Sequence, residues 1–251
     1  MRPALPLDVY KNNYLTERVG MAQTLALLHT SPTLTPMFRT LCAAEIPDVK
    51  IFHMVDESLI QDTIRAGRLR GVTIRRLLGQ IASAEAAGAD AIMVTCSSIG
   101  PGVSLAQSLF DLPVIRIDEA MAEEAVRRGR RIGVAATLRT TLEPTIELLK
   151  AKASQAGRTI EIVESLSEGA FEAVLAGDVV THDRILAERL IRDLHDVDVI
   201  VLAQASMARV VGEMPAGLLK VPVLSSPELA VRRAKEILRG ARDSELAGAA
   251  H

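Results

Sequence analysis

Tryptophan is absent, and aromatic residues together make up 2% of the 251-residue chain. That leaves little material for base-stacking platforms or for aromatic clefts that grip sugars. An excess of one charge is missing too: 29 Lys and Arg stand against 31 Asp and Glu, so no basic footprint argues for a nucleic-acid partner. Two cysteines, Cys42 and Cys96, cannot build a disulfide framework, and their separation fits no zinc spacing. No apolar run approaches the roughly 18 residues of a membrane span. The opening MRPALPLDVYKNNYLTER lacks the apolar stretch of a secretory signal. Phosphate-cradling Gly-x-Gly-x-x-Gly and Walker motifs do not occur, and the few lysines do not point to a Schiff-base site. These gaps favour a protein of the reducing cytoplasm, with no nucleic-acid or membrane partner and a site without cofactor or metal.

What is present is apolar and periodic. Hydrophobic residues reach 49%, enough for a sizeable core. Strand-length apolar runs at 25–29, 49–55, 91–95, 114–117, 132–136, 160–163, 199–203 and 221–224 alternate with helical patterns. The clearest helical stretches are 73–87, 119–128, 141–155, 181–194 and 227–239. Short apolar strands separated by helices read as a parallel α/β fold. The small, polar stretch 241–251 reads as a frayed tail.

A repeat runs through this pattern. Asp90-Ala-Ile-Met-Val-Thr-Cys96-Ser-Ser98 lies over Asp198-Val-Ile-Val-Leu-Ala-Gln204-Ala-Ser206, an offset of 108 residues. Val72-Thr-Ile-Arg-Arg76 lies over Val180-Thr-His-Asp-Arg184 at the same offset, His29-Thr30 over Ala136-Thr137 at 107, and Leu112-Pro113 over Val221-Pro222 at 109. Near-constant spacing across four segments indicates two copies of one α/β unit. The predicted domains are 1–116 with 226–251, and 117–225. Ligands of parallel sheets bind beyond the carboxyl ends of the strands, and pockets favour domain interfaces. The expected site is therefore the cleft between the two units.

Strand ends supply the candidate residues. Cys96 ends the strand 91–95 and is followed by Ser97, Ser98 and Gly100-Pro101-Gly102. A helix N-terminus at that point stabilises a thiolate, although a free Cys is often only a small buried hydrophobe. Cys42, within a helical run, reads as core. Gln204 takes the place of Cys96 in the second unit and offers an amide instead of a titrating group. Thr30 with Thr33, and Thr137 with Thr140, open helical stretches after matching strands; they suit N-caps and equally a carboxylate cradle. Ser206 follows Gln204 as Ser98 follows Cys96. His53 closes the strand 49–55 and is a candidate proton shuttle at the rim, with Asp56 or Glu57 starting the next helix. Thr73 and Thr181 read as paired N-caps, and His182 as a surface residue.

The segments HTSPT, VTCSS, VAAT running into RTT, and VLAQASMA resemble the aspartate/glutamate racemase superfamily, over residues 18 to 240. That group includes glutamate, aspartate and hydantoin racemases, maleate isomerases and arylmalonate decarboxylases. The resemblance implies two pseudo-symmetric α/β domains enclosing a small carboxylate substrate, without pyridoxal phosphate or metal. It implies one Cys on each face of the substrate's α-carbon, the first matched by Cys96. Thr30, Thr33, Thr137 and Thr140 fall in its carboxylate-binding turns, with Ser97 and Ser98 as polar neighbours of the thiol. Gln204 stands where the second Cys belongs, and Ser206 near the Thr-His that follows it. A single thiol fits a one-thiol racemase or isomerase with His53 or water on the other face. It also fits a decarboxylase or lyase with stereospecific protonation, while two similar lobes round a cleft describe binding proteins as well. A homo-oligomer is compatible with the sequence, and the low aromatic content hints at a small aliphatic ligand.

Overall fold

The computed structural model describes residues 22–215 and 217–249. The opening segment read for a secretory signal and the last two residues of the tail lie outside the described residues.

Two four-stranded parallel sheets form the molecule. In the first, β1 (Thr24–His29), β2 (Lys50–Val55), β3 (Ala91–Val94) and β4 (Val114–Arg116) run in the order β2-β1-β3-β4. In the second, β5 (Arg131–Ala136), β6 (Glu161–Leu166), β7 (Val199–Leu202) and β8 (Val223–Ser225) run in the matching order β6-β5-β7-β8. The registers match too: Leu28 pairs with Val94 in one sheet and Ala135 with Leu202 in the other. Residues at the 108-residue offset do the same work. Asp90 accepts the Thr24 N–H, and Asp198 accepts the Arg130 and Arg131 N–H groups, each carboxylate tying down the start of its sheet's inner strand. The central strands β3 and β7 are buried throughout. Their continuous apolar runs follow from helices covering both faces of each sheet.

Helices α1 (Leu34–Glu45), α2 (Glu57–Ala66), α3 (Gly71–Ala86) and α4 (Gly100–Ala106) belong to the first unit. In the second, α6 (Arg139–Gln155), α7 (Ala170–Leu175), α8 (Val179–Asp193) and α9 (Met207–Glu213) correspond to them. The two remaining helices cross over. After β4, α5 (Glu119–Arg128) packs Met121, Ala122, Ala125 and Val126 into the core of the second sheet. After β8, α10 (Ser226–Ala249) packs Ala230, Val231, Ala234 and Leu238 into the core of the first, beside Phe38 and Cys42. Glu123 on α5 is gripped by Lys152 of α6 at 2.9 Å and by Arg233 of α10 at 2.5 Å, linking the two crossing helices.

Three local expectations change. The stretch expected to fray is helical, since α10 continues to Ala249. Thr73 is not a cap: α3 begins two residues earlier, at Gly71. Thr181 is not one either, because Asp178 caps α8 by accepting the Thr181 N–H at 2.9 Å. At α2 the cap is Asp56, which accepts the Ser58 N–H and is clasped by Arg76 at 3.0 Å.

Candidate functional site

A cavity of about 770 Å³ opens where the carboxyl ends of the two sheets meet. Its size falls within the range of small-molecule sites. Thr30, Cys96 and Ser98 line it from the first unit, Thr137, Gln204 and Ser206 from the second. Two matching helices form its jaws, α2 contributing Ile60 and Ile64, α7 contributing Phe171 and Leu175.

Cys96 leaves β3 in an extended conformation, and a 3₁₀ turn, Ser97–Ile99, leads from it straight into α4. The turn points backbone N–H groups back at the sulfur. Burial pushes the thiol's pKa up, while hydrogen bonds from the Thr30 hydroxyl, the Ile99 and Ser98 N–H groups and the Ser98 hydroxyl pull it down; burial prevails and the net shift is upward. The resting group is thus a thiol surrounded by the donors a thiolate needs. Ser98 is itself braced across the cleft, its Oγ lying 2.7 Å from Thr141 Oγ1 in a buried contact.

At the facing strand end the arrangement is different. Gln204 Oε1 accepts from the Thr137 N–H at 2.7 Å and from its hydroxyl at 3.1 Å, and Gln204 Nε2 lies 2.7 Å from the same hydroxyl. The amide is held against the end of the neighbouring strand β5, as a fixed dipole without an acidic proton to give.

Of the predicted residues, the cavity brings together Thr30, Thr33, Cys96, Ser97, Ser98, Thr137, Gln204 and Ser206. Thr33 is exposed and bonded to Ser31 Oγ at 2.8 Å rather than capping α1. Thr140 is not in the cavity wall, and its Oγ1 is buried without a partner. Since α6 starts at Arg139, the next residue along, Thr141, is turned to the cavity instead. His53 is not in the wall either. It lies behind it, at the end of a chain that runs from Thr95 through His29.

That chain has a defined direction. Thr95 Oγ1 donates to the Leu28 carbonyl at 3.2 Å, so it accepts from His29 Nδ1 at 2.7 Å. His29 Nε2 then accepts from His53 Nδ1 at 2.9 Å, with the two rings stacked at 5.2 Å. Burial, with His53 alongside, lowers the His29 pKa from 6.5 to about 4. Burial and the nearby Arg39 lower that of His53. Both rings are neutral at pH 7.

Sequence reasoning missed His182. It is not on the surface: it is 5% exposed and lines the cavity from α8. The signal was its spacing with Leu186 and Leu190, both fully buried, which puts all three on one helical stripe. Among the described residues no group of three or more His, Cys, Asp or Glu is placed to hold a metal ion. Nor is any helix among them long and apolar enough to cross a membrane.

A family model described as Asp/Glu/Hydantoin racemase matches residues 27–234. No curated protein matches the sequence. Among solved structures, glutamate racemase RacE1 from Bacillus anthracis is similar at a TM-score of 0.66 and 14% identity, over 87% of this chain and 82% of that one. Allantoin racemase from Klebsiella pneumoniae superposes at 0.62 with 22% identity, over 87% and 89%. Aspartate racemase from Picrophilus torridus superposes at 0.64 with 15% identity, over 86% and 94%. At these identities the likeness is one of fold.

Proposed function

The chain belongs to the Asp/Glu/hydantoin racemase family, a family of enzymes, and from that premise we propose a cofactor-independent racemase or isomerase of the cytoplasm that makes and quenches a carbanion beside the carboxylate of a small acid. Cys96 is the thiol that takes or returns the proton. The observation that carries this reading is the set of donors converging on one sulfur at a strand end: Thr30, Ser98 and the Ile99 N–H. Their interaction strengthens as the thiol ionises, which is the form that must be reached to remove an α-proton. In this reading the carboxylate is held from both lobes by the second Nε2–H of Gln204 and by the Thr30 and Thr137 hydroxyls, which turn to it from the Cys96 sulfur and Gln204 Oε1.

Gln204 favours a second reading. With its amide tied to Thr137, one thiol could protonate a carbanion left by loss of carbon dioxide, which needs a single proton donor. A panel of small carboxylic acids in deuterium oxide separates these chemistries. Deuterium uptake at the α-carbon, falling about 10³-fold in Cys96→Ala, is the expected result. Uptake unchanged in that variant would end the assignment of Cys96. Carbon dioxide release from malonate-type acids without exchange would select the decarboxylase. Tight binding with neither reaction would make the protein a carboxylate-binding module.

A further inference from the structure

The proposed function leaves one face of the substrate without an acid or base, and the pseudo-symmetry shows where to look. At the 108-residue offset, the position of Cys96 is taken by Gln204 and the position of Ile74 by His182. Ile74 sits at the head of α3, where its side chain packs toward Gly102. His182 sits at the head of α8, the matching helix, and lines the cavity that Ile74 does not reach. Each unit thus carries one titrating group among these positions, the first at the strand end and the second at the head of the helix beside it.

The surroundings of His182 fix its ring. Nδ1 lies 2.7 Å from Asp183 Oδ1, and a carboxylate can only accept, so Nδ1 carries the proton and donates. Arg209, itself in the cavity wall, clamps Asp183, Nη2 reaching Oδ1 at 2.6 Å and Oδ2 at 2.9 Å, and Arg209 is steadied in turn by Glu213 at 3.0 Å. Burial works against the Asp183 carboxylate, but Arg209 and His182 outweigh it and its pKa is lowered. Nε2 makes no hydrogen bond among those of the described residues, nor is it one of their buried, unpartnered atoms. An imidazole whose Nδ1–H is held by a carboxylate and whose Nε2 is open to a cavity has the arrangement of an oriented general base.

We propose that His182 Nε2 is the second proton-transfer group of this site, facing Cys96 across the substrate, with Asp183 as its positioning residue. The inference rests on the racemase or isomerase reading above. In one direction the Cys96 thiolate takes the α-proton and becomes a thiol, and the C–H electron pair passes into the carboxylate as an enediolate. The imidazolium then gives its Nε2 proton to the opposite face, where that pair forms the new C–H bond. The products are a thiol and a neutral imidazole, which is the starting state for the reverse direction: neutral Nε2 takes the proton and the thiol returns one. The site therefore holds unlike groups on its two faces.

The test follows exchange and inversion separately, using each enantiomer of any acid from the panel that the parent enzyme turns over in deuterium oxide. In His182→Gln, inversion should fall 10²–10⁴-fold. Cys96-dependent exchange of the one enantiomer that presents its proton to the thiol should persist, giving deuterium without change of configuration. Asp183→Asn keeps the ring but not its anchor; it should lower kcat with little change in KM, and Asp183→Glu should recover part of the loss. Circular dichroism and thermal melting establish that each variant is folded. If His182→Gln does not fold, the Asp183 pair decides by the same kcat and KM split. Inversion in folded His182→Gln within threefold of the parent would overturn this proposal while leaving Cys96 in place. Exchange that survives Cys96→Ala would instead overturn the proposed function, and no exchange by the parent on any acid would end both.

Discussion

In the first lobe the inner strand β3 ends in Cys96, backed by Thr95, His29 and His53. In the second, β7 ends in Gln204, and the positions matching Thr95, His29 and His53 by offset and register are Ala203, Ala136 and Glu164. The two sheets share strand order and register, but not their chemistry. A duplicated scaffold needs the same apolar residues twice, because each sheet must bury the same faces. The side chains beyond the strand ends are free of that demand and have diverged. The architecture is symmetric and the site is not, so the comparison can be attacked one difference at a time.

The largest structural difference lies beneath the site. At the end of β4, Arg116 forms a buried pair with Asp118 at 2.7 Å and also reaches the Pro144 carbonyl of α6 at 3.2 Å. Its guanidinium lies so close over Gly100 that a Cβ there would stand 2.4 Å from Cζ. The corresponding strand β8 ends in Ser225. Removing one partner of a buried pair costs about 3–5 kcal/mol, because the other charge is left uncompensated. Arg116→Met should therefore lower unfolding free energy by about that amount in urea titration, and Arg116→Met with Asp118→Leu should recover much of it. A loss below 1 kcal/mol in the single variant would show that the lobes are not joined through this pair.

Next comes the acid sensitivity of one histidine, a comparison that sets His29 in the first lobe against Ala136 in the second. His29 titrates near 6.5 when unfolded and at about 4 when folded. Between those values the unfolded chain binds the proton more readily. The folded state is thus fully favoured above pH 6.5 and loses stability as pH falls toward 4. At 1.36 kcal/mol per pKa unit the loss is about 3 kcal/mol. His29→Gln should flatten the dependence of unfolding free energy on pH between 6.5 and 4. An unaltered slope would place the sensitivity elsewhere, since Ala136 at the matching position cannot contribute one.

The fold was legible because α/β periodicity is dense in information: each apolar run between helices is a strand, and the constant offset of Asp90 and Asp198 fixed which strands correspond. The strand-end residues followed from the same register. Helical residues near the cavity were harder, because a side chain's direction turns about 100° per residue and the start of the helix must be known to one position. Pairing Thr137 with Thr140 by analogy with Thr30 and Thr33 missed by one residue, since Thr141 is the one turned inward. His182, between Thr181 and Asp183, looked polar on every side in sequence. Its buried stripe mates, Leu186 and Leu190, lie one and two turns along α8. His53 was read from its strand end alone, without the neighbour at His29 that turns it behind the wall.

The smallest difference is the most direct test of what separates a structural thiol from a reactive one. Cys42 is 1% exposed in the core that α10 closes, and burial alone pushes its pKa up to about 11. Cys96 is only partly buried, faces a cavity and has four donors that compensate the charged form. Only the thiolate reacts with an alkylating agent. At pH 8 iodoacetamide should modify Cys96 in the folded protein more slowly than a free thiol, since its net shift is upward, and leave Cys42 untouched until the chain is unfolded, as peptide mass spectrometry would show. Cys42→Ala should cost only about 1 kcal/mol, the value of a small buried group, and leave exchange activity unchanged. Equal labelling of the two thiols in the folded state would mean that the donors around Cys96 do not lower the cost of its thiolate, and nothing would then set it apart from a structural thiol of the same lobe.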